Sequence, residues 1–185
     1  MAVPAILVVT GASGVGKTSL VHALQARAIP GVRCYHFDSV GVPSTAQMMA
    51  VHGSPQAWQV ATTHQWIARL AANPDQCVLA VLEGQVRPSL TYQAFAEQDV
   101  RHGRVLLLEC ESSLRETRIR ELRRQPELAS AAMTSWAAYL RGQADALGLP
   151  VLDTGAVTLD QATDALAAQV RALLSAAGKP APQSE

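Results

Sequence analysis

Residues Gly11-Ala12-Ser13-Gly14-Val15-Gly16-Lys17-Thr18 carry the spacing G-x-x-x-x-G-K-[ST]. In that pattern glycines let successive backbone N–H groups converge on phosphate oxygens, the lysine reaches the β- and γ-phosphates, and the final hydroxyl ligates Mg²⁺. The flanks fit the same chemistry. An apolar run, Ala5 to Val9, precedes the loop, and Ser19 leads into Leu20, Val21, Leu24 and Ala28 at helical spacing. A strand entering and a helix leaving would aim the positive end of the helix dipole at the anion. A chance glycine-rich turn has no reason to carry both. Gly11 through Ser19 form the candidate nucleotide-binding set, with Lys17 also a catalytic candidate and Thr18 a candidate metal ligand.

Three more groups carry candidate chemistry. Asp38 closes Val32 to Phe37, which reads as a short strand; it either forms a turn before Ser39 or meets an acceptor hydroxyl and takes its proton. Glu83 closes the apolar run from Cys77 to Leu82, where an acid either caps the strand or holds a metal ion directly or through water. Gly84 allows close backbone approach, so Gln85 and Arg87 would face an acceptor, Arg87 having a structural ion pair as its other reading. Five of the thirteen arginines lie between Arg115 and Arg124. Arginine presents a rigid fork matched to phosphate oxygens. The alternative is a solvated helix with weak i,i+4 pairs such as Glu116–Arg120. Arg115, Arg118 and Arg120, nearest the preceding strand, are the candidates. Trp58, Trp66 and Trp136 sit in helical stripes suited to a core, and Trp58 and Trp66 also suit the wall of an acceptor pocket.

The elements that must position these residues alternate along the chain. Strands are expected at about 5–9, 32–37, 77–82, 104–109 and 150–153. Asp38 to Pro43 reads as a loop. Helices are expected from Ser54-Pro55 to Asn73-Pro74, from Pro88-Ser89 with inner face Tyr92, Phe95, Ala96 and Val100, along Met133, Trp136, Leu140, Ala144 and Leu147 to Gly148, and along Leu159, Ala162, Leu166, Val170 and Leu173. Such alternation implies an α/β three-layer sandwich around a parallel sheet, with ligands beyond the carboxyl ends of the strands.

Composition sets outer bounds. The chain has 185 residues, 49% hydrophobic and 16% charged, which suits one compact domain over 1–177 and a polar, disordered tail at 178–185. Fifteen basic residues balance fifteen acidic ones, so no global charge points to nucleic acid or an anionic membrane. Three cysteines without C-x-x-C spacing favour burial over a zinc site or disulfide framework. With no membrane span or signal peptide legible, the expected location is cytoplasmic.

Together these residues resemble the P-loop small-molecule and nucleotide kinases, especially the uridine kinase and phosphoribulokinase branch. That branch pairs the glycine-rich loop with Asp-Ser after strand two and Glu-Gly after strand three, here Asp38-Ser39 and Glu83-Gly84. The resemblance implies an adenylate-kinase-type core with strand order 2-3-1-4-5 and a lid over about 111–127. It implies ATP and Mg²⁺ as cofactors and a nucleoside, nucleotide or sugar-like acceptor. Asp38 would be base or acceptor ligand, Glu83 and Thr18 would serve the metal, Lys17 the phosphates, and the arginines would form the lid. The aromatic continuation of Asp-Ser in uridine kinases is replaced by Val40-Gly41-Val42-Pro43. Asp38-Ser39-Val40-Gly41 also fits the D-x-x-G of GTPases, but it follows the second strand too early and no Asn-Lys-x-Asp is present. The different-class alternative is a regulatory ATPase acting through a protein partner.

Overall fold

A computed structural model describes residues 3–178. Strands β1 (Ala5–Thr10), β2 (Val32–His36), β3 (Leu79–Gly84), β4 (Gly103–Glu109) and β5 (Val151–Asp153) form one parallel sheet in the order β2-β3-β1-β4-β5, as expected. Helices α1 (Lys17–Ala26), α2 (Thr45–His52), α3 (Pro55–Ala71), α4 (Pro88–Glu97), α5 (Ser112–Thr117), α6 (Ala131–Leu147) and α7 (Leu159–Ala177) connect and cover it. The tail expected beyond residue 177 lies outside the described residues, apart from Gly178 at the end of α7.

Every residue of β1 and of β3 is buried, because both faces of the sheet are covered and alternate side chains enter different cores. Leu7 and Val9 pack with Leu20 and Leu24 of α1 and with Leu166 and Val170 of α7. On the opposite face, Ile6 and Val8 meet Trp66, Ile67 and Leu70 of α3 and Phe95 of α4. Leu107 of β4 packs against Leu140 and Ala144 of α6. Since all the strands run the same way, the segments after β1, β2, β3, β4 and β5 gather at one edge.

Several local expectations are corrected. α2 forms in the stretch between Pro43 and Ser54, to which the sequence assigned no element; Ser44 and Gln47 make reciprocal capping-box hydrogen bonds at its start. β3 lies two residues later than expected, so Glu83 and Gly84 are inside the strand. Asn73 holds both the N–H and the carbonyl of Cys77 in a turn, at 2.9 Å each, which keeps Cys77 out of the ladder. β2 stops at His36, and Asp38 sits in a 3₁₀ turn, Phe37–Val40. On α4, Ala96 is exposed while Thr91 and Ala94 are buried, and Leu147 and Leu159 also face solvent.

The 3₁₀ turn after β2 lies so close to the end of β3 that a side chain at Gly84 has no room. An added Cβ would lie 2.5 Å from Phe37 Cβ and 3.0 Å from Phe37 Cγ. Gly84→Ala should therefore lower stability by about 1–3 kcal/mol. The check is urea unfolding, where the midpoint should fall at unchanged slope.

Candidate functional site

The glycine-rich loop spans the turn between β1 and α1. Gly14 has φ +84°, and a Cβ there would meet Arg115 O at 2.8 Å and Ile119 Cγ1 at 2.8 Å, so both its backbone conformation and the segment packed on it require glycine. Lys17, the first residue of α1, is 8% exposed and folds back so that Nζ donates to Gly11 O at 2.9 Å and Ala12 O at 3.0 Å. Burial lowers its pKa to about 8; Glu83 and Asp38 oppose the shift and Arg123 adds to it.

Thr18 and Glu83 are adjacent, the Thr18 hydroxyl donating to Glu83 Oε1 at 3.1 Å. The same oxygen lies 2.9 Å from His36 Nδ1. Two hard oxygen donors beside the loop lysine are the chemistry Mg²⁺ requires. Gln85 Nε2 donates to Ser13 Oγ at 2.9 Å, tying the end of β3 to the loop. Thr10 does the same through Oγ1, which donates to Val86 O at 2.7 Å.

Two cavities flank this centre. One, of about 440 Å³, is lined by Gly14 through Leu20, by Arg118, Leu122 and Arg123, and by Thr154, Val157, Thr158, Leu159 and Ala162 after β5. Its arginines begin and follow a π-turn, Arg118–Leu122, that continues α5. The Arg123 N–H donates to Arg118 O at 3.0 Å, an i to i+5 bond that sets the two arginines five residues apart on one face. Arg118 is anchored, with Nη1 donating to Thr154 Oγ1 at 3.0 Å and Nη2 to Thr154 O at 2.9 Å. Thr154 Oγ1 in turn donates to Val15 O at 2.8 Å, linking the segment to the loop. Arg123 makes no ion pair or side-chain hydrogen bond among the described residues.

The other cavity, of about 400 Å³, is lined by Phe37, Asp38, Val42, Met48, Pro55, Gln56, Trp58, Gln59, Gln85, Arg87, Met133 and Trp136. Partial burial, then the nearby Glu83 carboxylate, push the Asp38 carboxyl above its ordinary range, against the pull of Lys17 and Arg123. The Arg87 guanidinium lies against Trp136 at 5.7 Å and Tyr139 at 5.9 Å from the ring centres. Gln59 is fixed by donating to Gln85 O at 2.8 Å.

The structure thus brings together Gly11 through Ser19, Asp38, Glu83, Gln85, Arg87 and Arg118 at one edge of the sheet. It does not bring Arg115 or Arg120 there. Arg115 is buried behind the loop, and Arg120 is exposed and lines neither cavity. Read as a regular helix, the segment does not single out Arg123, which follows the π-turn into the cavity beside the glycine-rich loop. Trp58 lines the second cavity as considered; Trp66 lies in the core, its Nε1 donating to Phe37 O at 3.1 Å.

The sheet order and the loop between β1 and α1 match the fold of solved P-loop kinases. Solved structures of this fold that resemble the chain include a gluconokinase from Sinorhizobium meliloti, with 18% identity over 95% of this chain and 97% of that one at a TM-score of 0.56. The tunicamycin resistance protein of Deinococcus radiodurans has 18% identity, 90% and 95% coverage and a TM-score of 0.63. A shikimate kinase from Acinetobacter baumannii in complex with shikimate has 17% identity, 96% coverage of each chain and a TM-score of 0.58. At these identities the likeness establishes the fold. No protein-family model and no curated protein matches the sequence. Among the described residues no helix is long and apolar enough to cross a membrane.

Proposed function

We propose that the protein is an ATP- and Mg²⁺-dependent kinase that transfers the γ-phosphoryl group to a hydroxyl of a small-molecule acceptor. The observation that carries this reading is Asp38, which lines a second cavity while lying within the electrostatic reach of Lys17 and Glu83. In the proposed reaction, the acceptor occupies that cavity against Gln85, Arg87 and Trp58. The Asp38 carboxylate takes the hydroxyl proton as the acceptor oxygen bonds to the γ-phosphorus and the bond to ADP breaks. Lys17 and the loop amides hold the phosphates, and Arg118 and Arg123, on a lid over about 111–127, meet the charge on the transferred group. Mg²⁺ held through Thr18 and Glu83 would neutralise the β- and γ-phosphate oxygens.

The test is incubation with Mg·ATP and a panel of nucleosides, nucleotides, sugars and sugar acids, with ADP release and phosphorylated product followed together. Acceptor-dependent product formation is expected. ADP release that no acceptor accelerates, and that a protein partner does, would replace this reading with the regulatory ATPase.

Within it, Arg123 and Arg120 separate cleanly. Arg123→Ala should lower kcat/KM roughly 10²-fold, the scale of losing one preorganised donor. Arg120→Ala, on the exposed side of the segment, should leave kcat and KM for ATP within about twofold.

A further inference from the structure

Behind the phosphate loop lies a third cavity, of about 250 Å³, between the end of β4, α5 and α6. Its walls include Ala12 and Val15 of the loop, Ser112 and Arg115 of α5, and Thr134 and Arg141 of α6. Arg115 is only 4% exposed. Its Nη2 donates to Ser112 Oγ at 3.0 Å and Thr134 Oγ1 at 3.1 Å, while its buried Nε has no hydrogen-bond partner. No carboxylate among the described residues pairs with it. The acid in the cavity wall, Glu109, is engaged by Arg141 at 2.5 Å.

Burial thus leaves the Arg115 guanidinium with two neutral hydroxyls as its hydrogen-bond partners among the described residues. The desolvation of such a group is offset only by a hydrogen-bonded counter-charge. Its stem is also pinned, since the Gly14 backbone lies close enough that a Cβ there would be 2.9 Å from Arg115 Cγ. The charge is held in place, aimed at an open volume, and lines neither of the other two cavities.

We propose that this third cavity is an anion-binding site, separate from the phosphoryl-transfer site, that takes a small molecule through a carboxylate or phosphate group. The oxyanion would accept from Arg115 and bond to the hydroxyls of Ser112 and Thr134. Arg141 at the rim is already paired with Glu109 and, at 2.9 Å, with Asp145, so Arg115 is the cation that would meet the anion. Carboxylate and phosphate share the planar, bidentate match to guanidinium, and the size of the cavity restricts the rest of the ligand.

The experiment is thermal unfolding of Lys17→Ala, whose phosphate loop has lost its lysine, titrated with inorganic phosphate or with succinate against potassium chloride at equal ionic strength. The result therefore does not depend on the kinase reading. One of the two anions should raise the unfolding midpoint saturably, by about 3–6 °C at ten times its dissociation constant. Which anion acts identifies the group recognised. The rise should vanish when Arg115→Met is added. If that double variant does not fold, Ala138→Leu decides in its place, by narrowing the cavity while leaving Arg115 present. A flat response to both anions overturns the proposal, and so does a rise that survives the deciding variant.

Discussion

Asp38→Asn is expected to lower the rate of phosphoryl transfer by about 10²–10⁴-fold while affinity for a non-hydrolysable ATP analogue stays within about twofold. Asparagine keeps the shape of the side chain but not its ability to take a proton. The side chain is poised for that step: it lines the 400 Å³ cavity, and partial burial followed by the Glu83 charge holds its carboxyl above the ordinary range. A base must be ionised to act, so kcat for the native chain should rise with pH through that elevated pKa, and this limb should be missing in Asp38→Asn. The same shift fixes the sign of the stability change. A carboxyl whose folded pKa is raised binds its proton more tightly folded than unfolded, so stability falls as pH rises through the interval between the two values. Above that interval the native chain carries the full penalty and Asp38→Asn does not, so there the variant should be no less stable in urea. Transfer at the native rate in Asp38→Asn would remove Asp38 from the mechanism.

What the sequence made legible follows from how local each signal is. The phosphate loop is a spacing pattern, and the strands around it are apolar runs buried on both faces, so both could be read directly. The order of the sheet followed from strand–helix alternation together with the resemblance. α2 was missed because only Met48 of its eight residues is buried, leaving no apolar period to detect; the signal present was the Ser44–Gln47 capping box. β3 was placed early because Val78 is apolar, yet it is 51% exposed and its N–H donates to Gly31 O at 2.8 Å. The arginine segment failed for a different reason. A π-turn adds a residue to one turn of helix, and nothing in the local residue types announces it, so the face that meets the nucleotide-side cavity carries Arg118 and Arg123 while Arg115 turns inward. Type and proximity to the strand end pointed to the segment. Phase along it sets Arg118 and Arg123, rather than Arg115 or Arg120, in the wall of the cavity beside the loop.

Lys17→Met should separate binding from stability in opposite directions. At pH 7 the buried ammonium of Lys17 is charged, and the lowering of its pKa by burial to about 8, from an ordinary 10.5, reflects the cost of keeping it so. Between those two values the unfolded chain holds a proton that the folded site releases, so stability rises with pH across that window and the whole penalty is present below it. The penalty is at most roughly 3 kcal/mol. Against it stand the two hydrogen bonds to Gly11 O and Ala12 O, each contributing about 1 kcal/mol. Without nucleotide, Lys17→Met should therefore match or exceed the native chain by up to about 1 kcal/mol in urea at pH 7, and the difference should shrink or reverse near pH 10. Turnover should fall by about 10²-fold or more, with a loss of nucleotide affinity, because the group that reaches the β- and γ-phosphates is gone. The phosphates are the missing counter-charge. Their arrival should raise the Lys17 pKa, so ATP binding at pH 8.5 should take up a proton, seen by calorimetry in buffers of different ionisation enthalpy, and Lys17→Met should abolish that uptake. Equal proton uptake in both proteins would mean that the lysine does not meet the nucleotide.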